Sequence, residues 1–330
     1  MSVPDRRTGG RARKSPAAAA PAPARVDVIV MGEPMAEFVA EPGGQQYRHG
    51  HGGDASNFAV AAARQGVRAA IATRLGCDAF GDGFMDLWQR EGVGTGLVLR
   101  DPDHPTAVYF VSPLVSGHAF TYYRAGSAAS HFAAGDLPDA ALDGVHFLHA
   151  TGITQAISTA SCDAVFSAIE RARARGVKVS YDTNLRLKLW DLPRARAIVN
   201  ETVRLCDVCL PSLDDARLLT GLDDADAIAD VFLKLGAPLV ALKLGAEGCL
   251  VATPDGRRRV PGIRVDSVDA TGAGDTFGGA FVAGLVQGSD PYEAARYANA
   301  AAGLSTRGYG AVAPIPRRAE VLEALSAQSK

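Results

Sequence analysis

The chain has little cysteine and no disulfide pattern. Its five cysteines, Cys77, Cys162, Cys206, Cys209 and Cys249, are odd in number and scattered, which excludes the stapled framework of a small secreted domain. Cys206 and Cys209 form a C-x-x-C, but no second pair or nearby histidine completes a zinc site, and both read as buried structural thiols. No apolar run approaches the roughly 20 residues that a spanning helix needs. Neither sign of charge is in excess: 34 Lys and Arg stand against 36 Asp and Glu, a formal net charge of −2. That balance leaves no footprint for nucleic acid or an acidic membrane surface, although one or two local arginines suffice for a small anion. Two familiar phosphate loops are also missing. There is no G-x-x-x-x-G-K-[ST], and Gly272, Gly274 and Gly278 have one residue too many for G-x-G-x-x-G, so neither a P-loop nor a dinucleotide fingerprint is present.

What the chain does contain is 330 residues, 47% of them hydrophobic and 21% charged, ordinary for one large or two medium domains with a sizeable core. Residues 1–24 combine basic residues with Ala17-Ala-Ala-Ala-Pro-Ala-Pro-Ala24. That run is short, lacks Leu and Val and is broken by proline, so it is a poor signal-peptide core. A disordered tail over 1–24 and a cytoplasmic protein are the expectations.

From Arg25 the pattern is regular. Val26-Asp-Val-Ile-Val-Met31 is a β-branched run suited to a buried strand. Residues Ala55–Arg64 and Asp82–Arg90 read as helices closed by Gly66 and Gly92, with a strand over Val67–Ala72 between them. Strands are predicted at Val145–His149, Val177–Tyr181, Asp207–Leu210 and Leu239–Lys243. Helices are predicted at Ser158–Arg175, Pro193–Arg204, Asp214–Thr220, Ala225–Leu235, Asp275–Val286, Pro291–Gly303 and Arg317–Ala327. Strands alternating with helices in this way indicate a mostly parallel sheet covered on both faces. Two stretches break the rhythm: Thr106–Val111 and Ala119–Arg124 read as a hairpin, and Phe38–Tyr47 adds one or two more strands. A small β-lid inserted into an α/β body fits.

The chemistry concentrates in Val268-Asp-Ala-Thr-Gly-Ala-Gly-Asp-Thr-Phe-Gly-Gly-Ala-Phe281. Gly272, Ala273 and Gly274 at a helix start leave backbone N–H groups facing outward with the helix dipole behind them, a ready anion site. Asp275 stands at its mouth. A carboxylate would repel a resident phosphate, but it suits a site where donors gather charge on a transferred phosphoryl group while the acid accepts a hydroxyl proton. Asp is equally a favoured N-terminal helix cap, and spacing alone leaves both readings open.

Asp269-Ala-Thr-Gly-Ala-Gly-Asp-Thr-Phe277 resembles the C-terminal signature of ribokinase-like (phosphofructokinase B type) carbohydrate kinases. Gly52-Gly53, Asn57 and Ala61-Ala-Ala-Arg-Gln-Gly66 resemble their N-terminal signature, and the likeness spans residues 25–316. Within the family, Gly32-Glu-Pro-Met35, Tyr122-Tyr-Arg-Ala-Gly-Ser-Ala128, Gly152-Ile153, Asp182-Thr-Asn-Leu-Arg-Leu-Lys-Leu-Trp190 and Leu242-Lys-Leu-Gly-Ala-Glu-Gly248 look like 2-keto-3-deoxygluconate kinases.

The resemblance implies a three-layer α/β/α sandwich over residues 25–330, with a lid from about 34–49 and 104–124. It brings ATP and Mg²⁺ as cofactors, optionally a monovalent cation, and a small sugar or sugar acid as partner. It implies Asp275 as base, with Gly272, Ala273 and Gly274 as the anion hole. For the sugar it implies Gly52, Gly53, Asn57, Tyr109, Tyr122, Arg124 and Arg186, the two arginines offering planar donors to a carboxylate. For the nucleotide it implies Asn184, Ser212, Lys243, Gly245, Gly248 and Asn299, and for magnesium Asp215. Blander readings stand beside these: a glycine pair serving a turn, cross-strand aromatic packing, a solvated strand-end lysine. Tyr309 occupies a loop position where an Asp is common in such kinases, which bears on the sugar. A fructokinase, a ribokinase or a non-catalytic sensor is the alternative, and a homodimer through the lid edges is expected.

Overall fold

The computed structural model describes residues 25–41, 44–114 and 117–328; the tail expected over 1–24 lies outside the described residues. β1 (Val28–Met31) is buried along its whole length, as a strand covered on both faces requires. The chain leaves it for β2 (Met35–Ala40) and β3 (Tyr47–Gly52), then returns through α1 (Asp54–Arg64), β4 (Ala69–Gly76), α2 (Ala79–Glu91) and β5 (Gly94–Asp101). It departs again for β6 (Ala107–Leu114) and β7 (Gly117–Tyr123). Regular alternation follows: β8 (Phe147–Thr151), α3 (Gly152–Ala156), α4 (Thr159–Ala174), β9 (Lys178–Asp182), α5 (Leu192–Leu205), β10 (Val208–Cys209), α6 (Leu213–Thr220), α7 (Ala225–Leu235) and β11 (Leu239–Lys243). Last come β12 (Gly248–Thr253), β13 (Gly256–Pro261), α8 (Ala273–Val286), α9 (Pro291–Ser305) and α10 (Arg318–Gln328).

Nine strands form one sheet in the order β13-β12-β11-β10-β9-β8-β1-β4-β5. Neighbours from β11 to β5 are parallel, and β12 and β13 add an antiparallel hairpin at one edge. One face packs against α1, α2, α8, α9 and α10 through Phe58, Trp88, Phe281, Ala298 and Val321. The other packs against α4, α5, α6 and α7 through Ile169, Val203, Leu219 and Phe232. This is the three-layer sandwich that the alternation predicts. The sequence reading missed β5, β12 and β13. β13 is Gly-Arg-Arg-Arg-Val-Pro, almost wholly exposed, and charge on an edge strand hides the alternation that marks a strand.

A second sheet, in the order β3-β2-β6-β7, is built from the two excursions. Because β2 follows β1 and β3 precedes α1, it rises from the carboxyl end of β1. There the chain winds outward in both directions, to β4 on one side and β8 on the other. Open α/β sheets bind ligands at such a switch point. No described helix is long and apolar enough to cross a membrane.

Candidate active site

Helix α8 begins at Ala273, earlier than predicted, and its N-cap is Gly272, in the left-handed region at φ 75°. A Cβ there would come within 3.0 Å of the Ala311 carbonyl oxygen, so glycine answers both the turn and the close approach. Asp275 therefore sits inside the first turn and caps nothing. Its carboxylate Oδ2 instead accepts a 2.8 Å hydrogen bond from Asn57 Nδ2 on α1. The two helices come close enough because α8 presents Gly278 and Gly279 to α1: a Cβ on Gly279 would lie 2.6 Å from the Phe58 carbonyl oxygen and 2.8 Å from Ala61 Cβ. Burial, then the negative charge of Asp54, push the Asp275 carboxyl up to about 7, against the pull of Asn57 and Lys243. A carboxylate poised there is matched to accepting protons near neutral pH.

The amides of Gly274 and Asp275 donate to no protein acceptor among the described residues, so the helix start keeps two unspent donors. Ala273 departs from the expected role, because its amide closes the preceding turn onto the Ala270 carbonyl at 3.2 Å. Asn57 also differs from expectation: it was assigned to a sugar hydroxyl, yet its amide nitrogen is spent on Asp275, leaving a buried, unpartnered Oδ1.

Two more carboxylates lie close enough for their charges to act on Asp275. Asp54, the residue after Gly52-Gly53, accepts from Thr151 Oγ1 at 2.6 Å and from Asn184 Nδ2 at 3.1 Å. Burial raises its carboxyl, and the charges of Arg124 and Arg186 pull it down, so both guanidiniums lie within electrostatic reach. Asp182, at the end of β9, pairs with Lys243 Nζ at the end of β11 and accepts from the Asn184 amide at 3.2 Å. Asn184, the one described non-glycine residue with positive φ (30°), thus spends its side chain on Asp54 and not toward a nucleotide. Lys243 is largely buried and its Nζ lies 3.5 Å from where a Cβ on Gly274 would stand, beside the anion hole. It is no solvated strand-end lysine.

The second sheet presents one row of side chains toward this floor. Gly50, Glu37, Tyr109 and Tyr122 are successive register partners across its four strands. Tyr109 is 5% exposed and its hydroxyl donates to Glu37. Burial foremost, and the charge of Asp269, raise the Glu37 carboxyl, against the pull of that hydroxyl. A Cβ on Gly52 would run into the Tyr109 hydroxyl, and one on Gly53 (φ 93°) into the Glu33 carbonyl oxygen, so the pair has a packing reason beyond the turn. Tyr122 stacks on Tyr109 with ring centroids 5.8 Å apart, and the Arg124 guanidinium lies 5.7 Å from the Tyr122 ring. The aromatic-packing reading holds for these side chains. Arg186 is exposed, with Nη1 donating to its neighbour's carbonyl, Leu185 O, at 2.8 Å.

Several residues assigned to the nucleotide or metal do structural work. Ser212 caps α6 by accepting from the Asp215 amide. Asp215 accepts from the Leu185 amide at 3.1 Å. Asn299 is buried and donates to the Val260 and Pro261 carbonyls at 2.9 and 3.2 Å, tying α9 to the edge hairpin instead of reading a base. Gly248, at φ 98°, is where β12 crosses the end of β13 too closely for a Cβ. Gly245, at φ 62°, faces open space. Among the described residues no cluster of three ligating side chains forms. Mg²⁺ keeps its waters and takes one or two carboxylates together with phosphates; the neighbouring Asp182 and Asp215, whose carboxyl is raised by burial and then by the charge of Asp182, are a carboxylate pair of that kind.

Sequence reasoning missed Glu33, Glu37, Asp54 and Asp182 as site residues. The signal was present: each is a carboxylate in or beside an apolar strand or glycine pair, where an acid is costly unless used. Tyr309 is 71% exposed, and two acids face its loop: Asp269 Oδ2 accepts from the Gly310 amide at 2.9 Å, and Glu37 Oε1 lies 3.7 Å from a Cβ position on Gly310.

Comparison with known proteins agrees with this arrangement. The pattern described as pfkB family carbohydrate kinase matches residues 26–318. The chain is 35% identical to a 2-dehydro-3-deoxygluconokinase of Thermoproteus tenax, covering 92% of this chain and 95% of that protein. It is 32% identical to Fructokinase-1 of Zea mays, over 90% and 96%. The crystal structure of a putative Ribokinase II in complex with ATP and Mg²⁺ from E. coli superposes with a TM-score of 0.85 at 26% identity, over 92% of this chain and 99% of that one. With buried carboxylates and Lys243 gathered at the switch point of a ribokinase-like sheet and the family pattern along nearly the whole described chain, the protein belongs to the pfkB carbohydrate kinases and is a phosphotransferase.

Proposed function

We propose that the chain transfers the γ-phosphoryl group of ATP to the terminal hydroxyl of 2-keto-3-deoxygluconate, giving 2-keto-3-deoxy-6-phosphogluconate. The observation that carries this is the guanidinium of Arg124, held just past β7 against Glu33 and close enough to Asp54 for its charge to lower that carboxyl. A keto-acid has a carboxylate for it; a neutral sugar does not. The 2-dehydro-3-deoxygluconokinase relative supports the reading.

In this mechanism Asp275 accepts the proton of the attacking hydroxyl, with Asn57 fixing its orientation. The hydroxyl oxygen bonds to the γ-phosphorus as the bond to the β,γ-bridging oxygen breaks, and ADP leaves. The free amides of Gly274 and Asp275, with Lys243 beside them, face the charge that develops on the phosphoryl oxygens. Asp182 and Asp215 are the carboxylates that would hold a Mg²⁺ ion, which would supply positive charge to the phosphates. Glu37 and Tyr109 contact sugar hydroxyls from the second sheet, which acts as a lid excluding water. The face of that lid opposite Glu37 carries exposed Tyr47 and Tyr123 beside Phe38 and Phe110, and a second copy of the chain covers it in the homodimer that completes the proposal.

The test is ADP release across keto-deoxy sugar acids and neutral sugars, repeated with Arg124→Ala. We expect a preference for the acid, and an acid KM raised about 10²-fold in the variant, the size of a lost charged hydrogen bond. Equal damage to acid and neutral substrates would remove carboxylate recognition and favour a fructokinase, in line with the maize relative.

A further inference from the structure

Two motifs far apart in the chain, Gly32–Met35 and Tyr122–Ala128, meet at one buried side chain. Glu33 stands where the chain leaves β1 for the second sheet, and it is completely buried. Its Oε1 accepts from Ser127 Oγ at 2.7 Å, and its Oε2 faces Arg124 Nη2 in an ion pair whose side chains are 0% and 10% exposed. Burial pushes the Glu33 carboxyl up, and Arg124 and Ser127 pull it back down. An ion pair this deep is a costly way to join two elements, since apolar packing of the same volume does so at least as well. What it supplies is a fixed guanidinium. Glu33 faces the Nη2 edge by charge, without hydrogen-bond geometry, so the buried Nε and Nη2 keep no hydrogen-bond partner; the Tyr122 ring lies alongside, and Nη1 makes no hydrogen bond among the described residues.

We infer that Glu33 is a positioning residue: it locks Arg124 with Nη1 presented to the cleft, and the Glu33–Arg124 pair thereby sets the preference for substrates bearing a carboxylate. The inference rests on the acid-sugar reading given above. An unrestrained arginine at a strand end would swing to solvent or fold onto Asp54, and the substrate would meet the ordering cost on binding. Pre-paired with Glu33, that cost is met in folding.

The test is steady-state kinetics of Glu33→Gln, Arg124→Ala and the double variant, with 2-keto-3-deoxygluconate and with ATP as the varied substrate. Glutamine keeps the shape and can still accept from Ser127, but it withdraws the charge from Arg124. Expected is an acid-sugar KM raised about 10-fold or more, with kcat within about threefold and the ATP KM within about twofold. In the Arg124→Ala background Glu33→Gln should add less than about twofold, because a residue acting through another has no effect once that other is gone. Should Glu33→Gln fail to fold, Glu33→Asp, which retains the charge one methylene short, is judged by the same double-variant criterion. An undiminished effect of Glu33→Gln in the Arg124→Ala background, or a parallel rise in both KM values, would show a merely structural tie and overturn the inference. Unchanged kinetics of Glu33→Gln, where the wild type does phosphorylate the acid, overturns it alone; no turnover of any sugar acid by the wild type overturns the substrate reading with it.

Discussion

Replacing Asp275 with Asn separates chemistry from folding in a single side chain. Asparagine retains an oxygen to accept from Asn57 Nδ2, so the 2.8 Å contact between α1 and α8 survives, but it cannot take a proton. Turnover should fall by about 10²–10⁴, or about 3–5 kcal/mol in the barrier, while the ATP KM stays within about twofold because the amides of Gly274 and Asp275 are backbone. The same variant should be more stable than the wild type at alkaline pH. The carboxyl moves from 3.8 in the unfolded chain to about 7 in the fold, chiefly through burial. Between those values the native state holds a proton that the unfolded state has released, so stability declines as pH rises, and above about 7 the loss is complete. That difference corresponds to about 4 kcal/mol. At about 2 cal/mol/K per residue it is worth roughly 6 °C in Tm. The assays are ADP release between pH 5.5 and 9 and thermal melts at pH 5 and pH 8.5. The wild-type kcat/KM should rise through pH 7 as Asp275 deprotonates, and the variant should show no such limb. Turnover within tenfold of wild type, or a Tm difference that does not widen with pH, would refute the assignment of Asp275 as a buried base.

Further expectations follow from neighbouring contacts. Asn57→Ala removes the hydrogen bond that favours the ionised form of Asp275, so the acid limb of kcat/KM should move upward by about one pH unit, read from the same pH series. Gly52→Ala drives a methyl group into the Tyr109 hydroxyl and breaks its bond to Glu37; the sugar KM should rise about tenfold with a stability loss of about 1–3 kcal/mol, measured by kinetics and denaturant titration. His149 is buried in β8, stacked on Phe58 at 3.6 Å and 2.8 Å from Ser180 Oγ, and burial holds it down at about 3. The unfolded chain takes up this proton below pH 6.5 and the fold does not, so stability should drop by about 2 kcal/mol from pH 7 to pH 5 on this account. Denaturation of His149→Gln should lack that component.

How much of this was legible beforehand varies by element. The core strands and helices announce themselves because burial on both faces selects unbroken Val, Ile and Ala runs, as in β1, and helix ends carry glycine or an acidic cap. The edge hairpin β12–β13 did not, because an exposed strand is free to be charged. The helix start around Gly272 and Asp275 was legible to within two residues because its small residues are adjacent in the chain.

The sequence alone determined a doubly covered α/β body, a glycine-flanked helix start with an acid in it, and membership in a group of kinases carrying those motifs. It could not decide between a cap and a base for Asp275, nor assign Asn57, Glu33 or Asp54, since each of these roles depends on a partner distant in the chain. Asn57 meets Asp275 across 218 positions, and Ser127 meets Glu33 across 94. Local pattern records what a residue can do. Only the packing of α1 on α8, and of the second sheet on the end of β1, decides which charge each one faces and therefore whether it holds a proton.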